Sequence, residues 1–475
     1  MKTVTSLPET RPASGPAGSG QDVVIFGASG DLSNRKILPA LGRLSANRDL
    51  RVIGVGRRAL DPEQFQDLVA RSSGSPALAG SARWLQLDYT AKDGYRRLAD
   101  AGEADGRSMV FYLATPPAVF GSILSGLSAC GLVRRGDSNR VVVEKPLGHD
   151  AASAAALNQQ LAQLFDESQV YRIDHYLGKD TVQNVLAFRF SNPLFESVWN
   201  RNFIDSIQIT AAEQIDIVER AGYYDEVGAV RDMVQNHILQ ILALVTMEAP
   251  GSLNPVDTRA AKLALLRAVH PLDSGAAVAG QYDGYRETEG VPSNSRRETY
   301  AAARLSIENW RWQGVPIFFR TGKALARDVT EVVVRLKDAP RLRIGDSALD
   351  SIPTVIVLRI QPDEGILLRI GAKHPGPQFQ LVPAALRLDY RAVARERVPD
   401  AYDNVLSEIL EGAQVEFPGP SEIVRAWEIV DPLLGEWEGR GRPDLYVRGS
   451  WGPSAADDLI SVYGDGRWLD TTDLA

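Results

Sequence analysis

The 475-residue sequence predicts two domains of different class, a doubly wound α/β domain followed by an α+β domain with a large, mainly antiparallel sheet. Three observations carry this. Short apolar or β-branched runs at 23–26, 51–55, 108–113 and 140–143 alternate with helix-like segments up to about residue 174, the rhythm of parallel strands joined by crossover helices. Later strand-like segments, beginning at 204 and spanning 330–336, 354–360 and 365–370, alternate in polarity or run β-branched, which suits a broad antiparallel sheet. A content of 44 % hydrophobic residues supplies core for two or three domains. The chain therefore divides into a disordered leader at 1–20, a nucleotide-binding domain at 21–174 and an α+β domain at 175–475.

Residues 1–20 are rich in Ser, Gly, Pro and Thr and have almost nothing to bury. The strand at 23–26 feeds Gly27-Ala28-Ser29-Gly30-Asp31-Leu32, after which Ile37, Leu38, Leu41 and Leu44 fall at helical spacing. With the strand at 51–55 this makes a compact βαβ unit with glycines at its first turn. Glycines there permit a tight turn and let a pyrophosphate approach the backbone at a helix N-terminus. The pattern lacks the third glycine of the usual fingerprint, so its neighbours must support it. They do: the second strand ends in Gly56-Arg57-Arg58, where an NAD-selective site would carry an acid. Two guanidiniums suit a 2′-phosphate, since the planar fork meets phosphate oxygens bidentately. The residues read as NADP over NAD. Thr115-Pro116-Pro117 breaks the chain past the strand at 108–113, where a cofactor-lining loop is expected. Lys145, held extended by Pro146, could reach either the nicotinamide or the substrate.

Chemistry concentrates in Tyr171-Arg172-Ile173-Asp174-His175-Tyr176-Leu177-Gly178-Lys179-Asp180. Its place after a β-branched run and the helix-like segment 151–165 predicts side chains at the carboxyl edge of the sheet, where ligands bind. Further on, 228–244 reads as one largely buried helix. It carries Asp232, Asn236 and His237, whose burial demands partners or a ligand. Asp232 and Asn236, four apart, share a helical face.

The net charge of −8 argues against a general nucleic-acid binder, though Lys145, His175 and Lys179 could still meet a small anion. The lone Cys130 excludes an internal disulfide and fits a reducing, cytoplasmic setting. Five histidines show no metal-ligand spacing, so no metal is expected. Neither a membrane-spanning run nor a signal peptide is visible.

Taken together, these blocks resemble the glucose-6-phosphate dehydrogenase family from residue 22 to the C-terminus. The most specific is Arg172-Ile173-Asp174-His175-Tyr176-Leu177-Gly178-Lys179. Others are Val143-Glu144-Lys145-Pro146, Arg231-Asp232-Met233-Val234-Gln235-Asn236-His237, Arg320-Thr321-Gly322-Lys323 and Ile360-Gln361-Pro362-Asp363-Glu364-Gly365. The resemblance implies a Rossmann-like coenzyme domain, a substrate and oligomerisation domain, and assembly as homodimers or homotetramers. It implies NADP-linked oxidation of glucose 6-phosphate at C1 to the 1,5-lactone, the entry to the pentose phosphate pathway. His237 would be the base and Asp174 its partner. His175, Tyr176 and Lys179 would bind the 6-phosphate and Glu213 and Asp232 the sugar hydroxyls. Lys145 and Lys323 would lie between sugar and cofactor.

Departures loosen the sugar assignment. Asp180 stands where the family usually has Glu, and Asp328 where it has a second basic residue after Lys323, with Arg327 adjacent. An acid there would repel an anionic substrate. The same chemistry on another pyranose, or a silent NADP-binding regulatory protein, are the alternatives.

Overall fold

The computed structural model describes residues 20–103, 107–217, 221–340, 343–344, 347–348, 351–393, 399–439, 441–461, 463 and 466–472. The leader expected at 1–20 therefore lies outside the described residues, Gly20 apart. Two compact units emerge. One comprises the described residues of Met1–Glu144, Gln160–Tyr171 and Tyr402–Gln414; the other those of Lys145–Gln159, Arg172–Ala401 and Val415–Ala475.

The first unit is built on a six-stranded sheet of order β3-β2-β1-β4-β5-β6. Its strands are β1 (Gln21–Phe26), β2 (Leu50–Gly56), β3 (Arg83–Gln86), β4 (Ser108–Leu113), β5 (Arg140–Val143) and β6 (Val170–Arg172). Strands β1 to β5 pair in parallel, and β1 lies between β2 and β4, with Phe26 opposite both Val55 and Leu113. Continuous apolar runs are what a parallel sheet covered on both faces requires, and Val23 to Phe26 are wholly buried. The strand order reverses beside β1, so the carboxyl ends of β1 and β4 flank the switch point where α/β sheets bind ligands. Strand β3 lacked a signal in the sequence because Arg83-Trp84-Leu85-Gln86 has no clear period. The helix Ala401–Glu411 returns to this unit: Arg140 Nη1 donates to the carbonyls of Ile409 and Leu410 at 2.9 and 3.0 Å.

The second unit holds a nine-stranded sheet of order β16-β15-β14-β11-β7-β10-β9-β8-β17. Its first five strands are β7 (Ile204–Ala212), β8 (Ala277–Tyr282), β9 (Tyr300–Leu305), β10 (Ile317–Gly322) and β11 (Val329–Leu336). A separate pair, β12 (Arg343–Ile344) and β13 (Ser347–Ala348), precedes β14 (Val355–Gln361), β15 (Gly365–Lys373), β16 (Leu381–Asp389) and β17 (Asp444–Tyr446). Only β7–β10 and β8–β17 run parallel; the other pairs of this sheet are antiparallel, as expected.

The helix expected at 228–244 is not continuous. A first helix, Ala221–Ala229, breaks at Gly228, whose φ of 74° and crowding by Glu298 exclude a side chain. Glu298 then accepts a bond from Val230 N at 3.2 Å and so caps the next helical segment. Val230–Ile238 is a π segment and Leu239–Thr246 an α-helix that is buried throughout. Among the described residues, no helix is long and apolar enough to cross a membrane.

Candidate active site

In the first unit, the turn after β1 is shaped by its backbone. Gly27 has φ of 84°, donates to Val55 O at 2.8 Å and accepts from Gly30 N at 2.9 Å. A Cβ at Gly27 would stand 2.5 Å from Ala114 O, so the strand-end loop at Ala114 and Thr115 closes against this glycine. Ala28 is buried and Leu32 half-buried, whereas Ser29, Gly30 and Asp31 are exposed. Arg57 and Arg58 are exposed at the end of β2.

The second unit gathers residues scattered from 145 to 361. Strand β6 ends at Arg172, and the polar block turns on itself: Asp174 accepts from the backbone of Tyr176 (Oδ1, 3.0 Å) and Leu177 (O, 3.0 Å). That turn aims Asp174 at His237 Nδ1, 2.5 Å away, and both side chains are buried. On the opposite side of the ring, Lys145 Nζ lies 3.0 Å from His237 Nε2. Since an ammonium can only donate, Nε2 is the accepting nitrogen and Nδ1 carries the proton that Asp174 accepts.

The π segment explains how one lysine meets two helix residues. A π turn is wider than an α turn, so residues four and five apart both lie near one edge of the segment. Asp232 and His237 are thus brought together, and Lys145 Nζ touches Asp232 O at 3.1 Å and Oδ1 at 3.2 Å. Asn236 bonds its own segment, accepting from His237 N at 2.6 Å. Lys323 Nζ continues the chain of charges, 3.3 Å from Asp232 Oδ2 and paired with Glu213. The result is an alternating series: Asp174, His237, Lys145, Asp232, Lys323, Glu213.

Around it, the Tyr176 ring stacks on His237 at 4.0 Å, and His175 meets the same imidazole edge-on at 4.6 Å. Lys179 Nζ donates to Gln361 Oε1 at 2.6 Å and stands 5.4 Å from the Tyr176 ring. Three supports go beyond the residues that the sequence pointed to. They are Gln361, Thr330 (3.4 Å from the Tyr176 hydroxyl) and Tyr224, whose ring lies 5.5 Å from Lys323 Nζ. Gln361 sits inside the block 360–365, Thr330 opens the strand-like segment 330–336, and Tyr224 falls in Gly222-Tyr223-Tyr224-Asp225, a further block of the same resemblance.

The electrostatics follow from this order. Burial alone would push Asp174 up, but His237, His175 and Lys145 together outweigh burial and hold the carboxyl at about 2. Burial likewise opposes the charge on Asp232, yet Lys145 and Lys323 hold it well below the usual carboxylate range. For His237, burial pushes the imidazole down, Asp174 pulls it up and Lys145 pushes it down again, leaving it below its ordinary value. Lys323, despite burial, is raised by Asp232 and Glu213. His237 is therefore a neutral base beside fixed charges at neutral pH.

Donor atoms of Asp174, His175 and His237 lie within 4.8 Å of one another and could hold a metal ion. The Asp174–His237 bond already engages two of these groups, and the Lys145 ammonium at Nε2 opposes a cation.

Asp328 does not face this cluster of charges alone: its Oδ1 accepts from Gln214 N at 2.7 Å. Arg327 points elsewhere, to Asp470 Oδ1 at 3.2 Å and Thr471 Oγ1 at 3.4 Å.

Comparison with known proteins identifies the family. Residues 24–184 match the model for the glucose-6-phosphate dehydrogenase NAD binding domain, and 186–469 that for the C-terminal domain. The chain is 39 % identical over 487 aligned positions to Glucose-6-phosphate 1-dehydrogenase 2 of Mycobacterium tuberculosis, covering 95 % of this chain and 94 % of the relative. It is 40 % identical to Glucose-6-phosphate 1-dehydrogenase of Aggregatibacter actinomycetemcomitans, covering 93 % and 96 %. A solved structure of a glucose-6-phosphate dehydrogenase in complex with its substrate superposes with a TM-score of 0.86 at 33 % identity, covering 95 % of this chain and 98 % of that one. This chain belongs to the glucose-6-phosphate dehydrogenase family.

Proposed function

We propose that the protein oxidises glucose 6-phosphate at C1, with NADP as acceptor, giving 6-phosphoglucono-1,5-lactone. The observation that carries the reading is His237, held by Asp174 at one nitrogen and met by Lys145 at the other. Oxidation of a C1 hydroxyl requires removal of its proton as hydride departs, and a neutral imidazole whose Nε2 lone pair Lys145 can release suits that step. Nε2 takes the proton in place of the Lys145 contact. Asp174 keeps the tautomer and stabilises the imidazolium. Lys145 keeps the imidazole neutral beforehand and then donates to the sugar oxygen. Glu213 and Asp232, fixed by Lys323, accept from sugar hydroxyls, and His175, Tyr176 and Lys179 bind the 6-phosphate.

A nicotinamide dinucleotide fits the first unit, where Gly27 turns the chain at a φ of 84° and Ser29, Gly30 and Asp31 are exposed. The Gly27 to Leu32 turn would hold its pyrophosphate, Arg57 and Arg58 the 2′-phosphate that distinguishes NADP. When bound, the nicotinamide supplies the hydride acceptor. The proposal extends to a cytoplasmic homodimer or homotetramer, a location that the lone Cys130 supports.

The test is NADPH formation by the purified protein with glucose 6-phosphate and free glucose, each with NADP and NAD. Fast turnover is expected only with glucose 6-phosphate and NADP. Clear reduction with another sugar, and little with this one, would overturn the substrate assignment.

A further inference from the structure

The exposed pair Arg57 and Arg58 comes directly after β2, and the directions in which their side chains leave depend on the peptide plane that follows each of them. Both of those carbonyls are tied to β3. Gln86 Nε2 donates to Arg57 O at 3.1 Å, and Trp84 Nε1 donates to Arg58 O at 3.1 Å. Residues two apart on a strand share one face, which is why Trp84 and Gln86 reach the same turn.

The indole is itself seated. Its ring lies 5.1 Å from Phe65, and it covers Gly56, where a Cβ would approach Cη2 to 2.7 Å. Phe65 occupies the space over Gly54, where a Cβ would come within 2.3 Å of Cζ. Two glycines of β2 thus make room for two rings, and the rings carry the indole N–H to the arginine turn. The register supports it: Gly54 pairs with Trp84 and Gly56 with Gln86, and Leu87 N donates to Gly56 O at 2.9 Å.

We infer that Trp84 and Gln86 are positioning residues for cofactor selectivity, fixing the backbone of Arg57 and Arg58 so that their guanidiniums meet a ribose 2′-phosphate. This rests on the NADP reading above. A dinucleotide without that phosphate has nothing for the arginines to bind, so loosening the turn costs NADP alone.

The test compares wild type with Trp84→Phe, Gln86→Ala and the double variant, measuring kcat and KM for NADP and NAD at saturating glucose 6-phosphate. Trp84→Phe keeps a ring over Gly56 and loses only the donor; Gln86 is exposed, so its truncation leaves the core intact. Each single variant should raise the KM for NADP about threefold and the double variant about tenfold, the worth of one and two ordinary hydrogen bonds. Both kcat and the KM for NAD should stay within about twofold. Equal rises for both cofactors, or none for either, overturn the inference while NADP preference in the wild type stands. A wild type with no preference for NADP overturns the NADP reading and the inference with it.

Discussion

The turn after β1 and the cluster around His237 are built from opposite materials. The first is backbone: six consecutive residues, one positive φ, and a run of exposed positions at Ser29, Gly30 and Asp31. The second is side chains, drawn from Lys145, Asp174, Glu213, Asp232, His237 and Lys323, each charge answered by its neighbour. A polyphosphate is a diffuse anion that needs shape and N–H groups, which one short stretch can provide. Moving a proton off a particular carbon's hydroxyl needs a base of set basicity at a set place. That takes fixed charges from several directions.

The contrast is broken most severely at Lys145. Replacing it by Met removes the charge that depresses His237, so the imidazole rises toward its ordinary value. Because the base works only when neutral, activity is lost as pH falls through its pKa. The acid limb of kcat/KM should therefore move to higher pH, with a loss of about 100-fold at the plateau. A limb that stays put would separate Lys145 from the basicity of His237.

Arg57→Ala with Arg58→Ala should act on the other region alone. The KM for NADP should rise on the order of 100-fold from loss of two charge-assisted contacts, while that for NAD changes little. Parallel losses would mean the pair does not read the 2′-phosphate.

The smallest effect belongs to Asp328. Its bond to Gln214 N sits beside Glu213, whose own N and O bond Gly322 and Leu325 at 3.0 Å each. Asp328→Ala should raise the KM for glucose 6-phosphate about threefold, and Asp328→Asn, which still accepts, should restore it. A lower KM for the Asn variant would mean that the acid merely repels the substrate.

The same contrast governs what could be read in the sequence. A backbone site is contiguous, so 27–32 and the arginines at 57 and 58 were visible in order. The strands at 23–26, 51–55, 108–113 and 140–143 were visible too, because burial on both faces leaves unbroken apolar runs. The His237 cluster was legible only as residue types. Its partners were supplied by the resemblance, and its geometry was hidden because Lys145, far away in the sequence, is what joins Asp232 to His237. Strand β3 mixes charge, ring and amide because it lies at the sheet edge. The return of Tyr402–Gln414 to the first unit depends on bonds such as Gln414 Nε2 to Val170 O, 244 residues away, which no local pattern encodes.

The measurement closest to the central claim is turnover of glucose 6-phosphate by His237→Asn, with NADP binding followed in parallel by fluorescence titration. The Asp174–His237 base predicts a kcat lower by about 100- to 10,000-fold with NADP affinity unchanged. Turnover near the wild-type level would contradict it.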